Sequence, residues 1–247
     1  MGADLSRIDT VILCGGRGRR LRRLVNDRPK PLASFGGAPF LGLLLDQCAR
    51  FGLRRFILCA GYKGRMIRSA ARRFPASWNV RCVCEKAPRG TGGAVGGARR
   101  WIRSDPFLVL NGDSFCGADL GRLVAFHKRR RADISLVVVP AQNKRGRGRV
   151  ALDPAGRVVC FEEKRRGGPR GFQNAGIYAM SRRALERMPR PPFSLERDFF
   201  PRAGRLGLAC RGYVEKKRLL DFGTPGDYRR AQRLWSRGRL IGSGSSR

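Results

Sequence analysis

Thr10-Val11-Ile12-Leu13-Cys14-Gly15-Gly16-Arg17-Gly18-Arg19-Arg20-Leu21 is an apolar run that stops abruptly at closely spaced glycines and arginines. An unbroken run of this kind reads as a strand buried on both faces, as in parallel sheets. Glycines placed directly after it let backbone N–H groups turn inward and approach a polyphosphate, while the arginines supply compensating charge. Two common phosphate-binding loops are excluded. Gly-Lys-Ser/Thr is absent, so this is no Walker A loop, and the third glycine of the dinucleotide fingerprint is missing.

Working outward, further strands are expected at Arg55–Ala60, Val80–Cys84, Phe107–Leu110 and Ile134–Val139. Between them Leu41, Leu44, Leu45 and Cys48, and again Leu120, Leu123, Val124 and His127, fall at the i, i+3, i+4, i+7 spacing of amphipathic helices. His127 is accordingly read as a helix-face residue. After residue 140 the strands shorten. Arg149–Leu152 and Val158–Phe161 flank Asp153-Pro154-Ala155-Gly156, a hairpin signal, and apolar segments follow at Ala175–Met180 and Leu208–Tyr213. A last helix is expected to open at Thr224, with Pro225 at its first position and Asp227 completing a capping arrangement. The fold class is α/β: a single Rossmann-like domain, residues 1–237, whose mostly parallel mixed central sheet is flanked by helices. The glycine- and serine-rich tail, 238–247, is expected to be flexible.

The chain has 247 residues, of which 42% are hydrophobic, enough to bury one sizeable core. No apolar run approaches the roughly 20 residues that span a bilayer, and the start lacks the apolar region of a secretory signal. A cytoplasmic location with no membrane partner is expected. The eight cysteines contain no Cys-x-x-Cys pair, and with one histidine in the chain zinc is disfavoured. Fifty-three basic residues, 45 of them arginine, stand against 18 acidic ones, a net charge of +35. Such a surface attracts nucleic acid at least non-specifically. The arginines are spread along the whole chain without a reading helix or an aromatic platform, so a solvated surface and a field that concentrates phosphate substrates are the preferred readings.

Several short pieces carry the chemistry. Prolines on both sides of Lys30 fix the backbone and aim one lysine, a candidate phosphate ligand. Asn111-Gly112-Asp113 ends a strand and places an acidic residue at the sheet's carboxyl edge, where open α/β folds bind ligands. Asp221, before Gly223-Thr224-Pro225, offers a second carboxylate if the late strands fold back, and Mg²⁺ favours a few carboxylates plus substrate phosphate oxygens. Gly90-Thr91-Gly92-Gly93 offers bare backbone against which a base can lie. Phe161-Glu162-Glu163-Lys164 ends a strand, and Asn174-Ala175-Gly176-Ile177-Tyr178 opens another.

In order and spacing these six pieces resemble the nucleotidyltransferase family that makes nucleotide sugars, from about Thr10 to Gln232. The resemblance leans toward mannose 1-phosphate and D-glycero-D-manno-heptose 1-phosphate guanylyltransferases, through Gly90–Ala94, Phe193-Ser194-Leu195-Glu196 and Asp221–Tyr228. It implies that Gly15, Gly16 and Arg20 hold a nucleoside triphosphate, with Leu13 and Thr91 also on the nucleotide side. It further implies that Lys30 contacts the phosphate under attack, that Asp113 and Asp221 bind Mg²⁺, and that Glu85 and Gly90 contact the base. Gly148, Glu163, Lys164 and Asn174 match the side that takes the sugar 1-phosphate. The implied reaction is in-line attack of a sugar 1-phosphate oxygen on the α-phosphorus of GTP, without a covalent enzyme intermediate. Two positions depart from the family pattern: Arg19 stands where threonine is usual, and Arg147 where an aromatic residue commonly precedes the glycine. A uridylyl- or thymidylyltransferase of the same family and a basic nucleic-acid-binding protein are the alternative readings, and a homo-oligomer is compatible with either enzyme.

Overall fold

The computed structural model describes residues 4–21, 24–141, 149–162 and 171–236. Strand β1 (Asp9–Cys14) is followed by the small hairpin β2 (Ser34–Phe35) and β3 (Ala38–Pro39), helix α1 (Phe40–Arg50), β4 (Arg55–Ala60), α2 (Gly64–Ala71), β5 (Asn79–Cys84) and α3 (Gly90–Gly97). Next come β6 (Phe107–Asn111), β7 (Ser114–Cys116), α4 (Leu120–Arg129), β8 (Ile134–Pro140), β9 (Arg149–Leu152) and β10 (Val158–Glu162). The described chain closes with β11 (Phe172–Met180), α5 (Arg182–Glu186), β12 (Cys210–Val214), β13 (Leu219–Asp221) and α6 (Pro225–Ser236).

The central sheet runs β5-β4-β1-β6-β11-β8-β12. Every neighbour is parallel except β11, which is antiparallel to both β6 and β8. This is the mixed, mostly parallel sheet expected from the sequence. The period-2 alternation of apolar side chains explains why both of its faces are covered. Ile12, Leu108, Leu110, Val137 and Val139 point to one face, where they meet α1, Ile67 of α2, α4 and α6. Val11, Phe107, Val109, Leu136 and Val138 point to the other, against Ala94 and Val95 of α3, Leu185 of α5 and the Phe193–Phe200 segment. α6 begins as its sequence requires: Thr224 Oγ1 accepts from Asp227 N–H at 3.2 Å and donates to Asp227 Oδ2 at 2.9 Å.

Chain order reverses at β1, since β4 and β5 build outward on one side of it and β6 lies on the other. Loops leaving the carboxyl ends of β1 and β6 therefore part from each other, and the crevice between them is the switch point where such sheets bind ligands. β11 enters from this end. Its pairing with β8 shifts register between Asn174 and Tyr178, around Gly176 at φ +73°. A Cβ on Gly176 would lie 2.6 Å from Asn111 Nδ2, so glycine alone lets this bulge pass the end of β6. β9 extends the sheet beyond β6 by pairing with Phe172 and Gln173, and its hairpin partner β10 brings Phe161 toward the crevice.

Candidate active site

A cleft of about 1020 Å³ opens at this switch point, lined by Leu13, Gly15, Gly16, Arg20, Lys30, Glu85, Gly90, Thr91, Asp113, Asn174 and Asp221. Residues picked out from separate parts of the sequence thus face one cavity. Gly148, Glu163, Lys164 and Arg147, and the side chain of Arg19, lie outside the described residues, as does the tail from 238.

The floor is the turn after β1. Gly112 N–H donates to Leu13 O at 3.0 Å and Tyr62 N–H to Gly15 O at 3.2 Å, which pins the turn to the loops that follow β6 and β4. A Cβ on Gly112 would come within 2.8 Å of Leu13 O, whereas one at Gly16 would meet nothing within 4 Å. Gly112 is needed for packing; Gly16 leaves its backbone open to the cleft.

Asp113 and Asp221 meet here by way of a small ladder. β7 and β13 pair antiparallel with Asp221 opposite Ser114, the residue next to Asp113. Lys30 sits between the two carboxylates, its Nζ 2.8 Å from Asp113 Oδ2 and 3.8 Å from Asp221 Oδ1. The lysine is 8% exposed and rests 4.9 Å from the centroid of the Phe222 ring, so its ammonium is delivered from a buried stem. Arg20 reaches the same turn: a Cβ on Gly223 would lie 3.3 Å from Arg20 Nη2 and 3.1 Å from Asp221 Oδ1. Two carboxylates beside an open glycine turn fit Mg²⁺, which takes one or two protein carboxylates and completes its shell with phosphate oxygens and water.

The opposite wall carries Glu85. Its backbone N–H continues the β4–β5 ladder by donating to Ala60 O at 2.8 Å. Its side chain lies behind the glycine turn, 3.4 Å from the position a Cβ would take on Gly15. Among the described residues Glu85 Oε1 is buried without a hydrogen-bond partner. Burial raises its pKa, and the charge and backbone N–H of Arg89 oppose the rise.

The glycines of 90–93 have a packing role that their sequence did not reveal. Gly90 lines the cleft, but the Cβ directions at 90, 92 and 93 run into Phe193 O at 2.2 Å, the Phe193 ring at 2.0 Å, and Arg89 and Pro191 at 2.8 and 2.9 Å. Bare backbone is used here mainly to seat α3 on the Phe193 segment. Thr91 Oγ1 donates to Glu196 Oε2 at 2.6 Å and accepts from Leu195 N–H at 2.9 Å, which leaves the cleft chiefly the Thr91 backbone. Sequence reasoning gave no site role to Glu196 on the cleft wall, to the fully buried Tyr178 bonded to it, or to Asn111, whose Oδ1 is buried without a hydrogen-bond partner among the described residues. The serine and glutamate of Phe193-Ser194-Leu195-Glu196 were the available signal.

Fold and cleft together define an α/β protein of the nucleotide-handling kind, with its ligand site at the carboxyl edge of the sheet. The chain belongs to the nucleotidyl transferase family, which it matches over residues 9–235, and is a nucleotidyltransferase enzyme of that family. It is 37% identical over 226 residues to the mannose-1-phosphate guanylyltransferase of Mycobacterium tuberculosis, covering 90% of this chain and 63% of that protein, so it spans less than two thirds of that relative. With the D-glycero-alpha-D-manno-heptose 1-phosphate guanylyltransferase of Aneurinibacillus thermoaerophilus it shares 31% identity over 227 residues, covering 92% of this chain and 97% of the other. The crystal structure of HddC from Yersinia pseudotuberculosis superposes with a TM-score of 0.80 at 32% identity, over 92% of this chain and 99% of that one, and HddC has also been solved with GMP-PN. The inositol-1-phosphate CTP transferase of T. maritima gives a TM-score of 0.82 at 17% identity over the full length of both chains, a likeness of fold alone. Among the described residues no helix is long and apolar enough to cross a membrane.

Proposed function

We propose that this chain transfers GMP from GTP to a sugar 1-phosphate of the heptose or mannose type, releasing pyrophosphate and forming a nucleotide sugar, with residues 1–237 acting as one catalytic domain. The single observation that carries the base preference is the Glu85 carboxylate on the cleft wall, whose Oε1 has no hydrogen-bond partner among the described residues and whose Oε2 lies beside Gly15. A carboxylate only accepts, and guanine offers two adjacent donor groups, N1–H and the 2-amino group, on one edge. Uracil and thymine offer one donor flanked by acceptors, which a carboxylate repels. Names of the relatives point the same way, as does the complex of HddC with GMP-PN.

In this reading the open backbone of Gly15 and Gly16 and the guanidinium of Arg20 hold the triphosphate. Lys30 places its ammonium at the phosphorus under attack, guided by the two carboxylates that flank it. Asp113 and Asp221 would hold Mg²⁺, which when bound would neutralise charge on the phosphate oxygens. Asn174 meets the sugar 1-phosphate, and Gly148, Glu163 and Lys164 are assigned to that side by their match to the family. The attacking phosphate oxygen is already ionised near neutral pH, so no side chain has to remove a proton, and catalysis rests on positioning and charge. Pyrophosphate release measured with GTP, UTP, dTTP, CTP and ATP against mannose 1-phosphate and a heptose 1-phosphate tests the proposal. GTP is expected to give the highest kcat/KM. A preference for UTP or dTTP would transfer the assignment to that branch of the family, and silence in every combination would overturn nucleotidyl transfer itself.

A further inference from the structure

We propose that Glu196 is a positioning residue that joins the two halves of the cleft, holding Thr91 on the nucleotide side with one carboxylate oxygen and orienting Asn174 on the sugar side through Tyr178 with the other. The inference rests on the nucleotidyl-transfer reading and adds a residue to which that reading gives no role.

The hydrogen bonds have one consistent direction. Glu196 is 8% exposed on the wall of the cleft, and as a carboxylate it accepts only. Its Oε2 accepts from Thr91 Oγ1 at 2.6 Å and Ser194 Oγ at 2.9 Å; its Oε1 accepts from the Tyr178 hydroxyl at 3.2 Å. Because Tyr178 gives its proton to Glu196, its oxygen is the acceptor for Asn174, whose Nδ2 donates to it at 2.7 Å. Gly176 N–H donates to Asn174 Oδ1 at 3.0 Å, which fixes the same amide from its other end. The flip of Asn174 is therefore set twice, once by the β11 bulge and once by Glu196 acting through a fully buried phenol. Asn174 can present only one remaining N–H and the outer face of Oδ1 to a ligand.

Glu196 is itself held firmly. It lies in a single π-helical turn, Leu195–Phe199, a form of helix that concentrates at functional sites. Ser194 caps this turn by accepting from Arg197 N–H at 3.3 Å, while Ser194 N–H donates to Asp198 Oδ2 at 2.7 Å. Rigid support for a side chain that touches the ligand only through others is how a site keeps polar groups aimed before substrate arrives.

Four variants separate the two ends. Tyr178→Phe cuts the link to Asn174 and leaves Thr91 and Ser194 in place; KM for the sugar 1-phosphate is expected to rise about tenfold, the effect of about one charged-group hydrogen bond, with KM for GTP within about twofold of wild type. Thr91→Val is expected to do the reverse, with Thr91→Ser restoring the GTP value. Glu196→Gln replaces an acceptor with a group that must also donate, so both KM values are expected to rise. A Tyr178→Phe enzyme that moves both constants equally, or neither, would overturn the proposal. A readout independent of turnover is the side-chain amide pair of Asn174 in ¹⁵N-labelled protein, assigned by its loss in Asn174→Asp. In wild type one amide proton is expected to be displaced from the range of exposed asparagines, and to return to it in Tyr178→Phe. An amide pair unchanged by that substitution would sink the orienting role even if Glu196→Gln failed to fold. A wild-type protein inactive with every substrate pair would instead sink the nucleotidyl-transfer reading, and the amide signal would still judge the positioning.

Discussion

At the scale of one side chain, the burial of Glu85 bears directly on the base recognition proposed for it. Its unpartnered oxygen is a cost to the folded protein, since a desolvated acceptor lacking a donor loses about 1–3 kcal/mol. The burial-driven rise in its pKa has the same origin. A base with two donors would repay that cost on binding, so Glu85→Gln, which sets an amide N–H against one of them, is expected to raise KM for GTP by about ten- to a hundredfold. Steady-state kinetics would check this, and an unchanged KM would remove Glu85 from base recognition. His127 is a buried titratable group with a different consequence. It is 4% exposed, its Nδ1 lies 2.9 Å from Ser135 Oγ, and burial pushes its pKa down to about 4 despite the opposing pull of Asp105 and Asp133. The unfolded chain protonates this ring near its ordinary value of about 6.5. Between about pH 6.5 and 4 the unfolded state binds more protons, so stability is fully present above that window and falls as pH drops through it. In urea titrations at about pH 7 and pH 4.5, wild type is expected to lose about 2 kcal/mol more than His127→Gln. Parallel losses would show that the imidazole does not titrate as its burial implies.

Secondary-structure elements were legible where an apolar run bounded by turn residues marks a strand. β4 and β9 span the residues their apolar runs indicated, Arg55–Ala60 and Arg149–Leu152; β5, β6, β8 and β10 differ by one residue at one end, and β1, expected over Thr10–Leu13, by one at each end. β11 began earlier than Ala175 because Phe172–Asn174 pair with β8 and β9 across a bulge, a tertiary event that local patterning does not record. The three-residue ladder of β7 and β13 was equally invisible: neither strand is long enough to show a period, yet their register is what carries Asp221 to Asp113. α3 teaches the same lesson through its glycines. Gly92→Ala would drive a methyl group to 2.0 Å from the Phe193 ring, whereas at Gly96 in the same helix an added Cβ meets nothing within 4 Å. The expected outcomes have opposite signs. Gly92→Ala should destabilise by about 1–3 kcal/mol through overpacking, and Gly96→Ala should stabilise by up to about 1 kcal/mol through helix propensity. Thermal melts of the two variants test the pair, and equal shifts would contradict the close seating of α3 on Phe193.

At the scale of the molecule, charge and fold separate two activities that composition alone left mixed. In a sheet whose strands run mostly one way, the loops after the strands gather at the cleft and the connections leading into them gather at the far edge. Exposed Arg72, Arg73, Arg99, Arg100, Arg129, Arg130 and Arg131 lie in those entering connections, at the ends of α2, α3 and α4. Of the acidic groups near this edge, Asp9 is buried against Arg55 at 3.0 Å, Asp133 accepts from Ser181, Arg183 and Ala209, and the exposed Asp105 accepts from Arg182 N–H. The face opposite the cleft is thus left basic, and with a net charge of +35 it should bind a polyanion through counterion release rather than through recognition. Binding of a fluorescent single-stranded DNA is expected to weaken at least about tenfold between about 50 and 200 mM salt, with no sequence preference. Saturating GTP, whose proposed site is at the other edge, should leave most of that binding in place. Complete displacement by GTP would move the anion-binding face into the cleft, and affinity insensitive to salt would point to a built nucleic-acid site that the spread of arginines does not suggest.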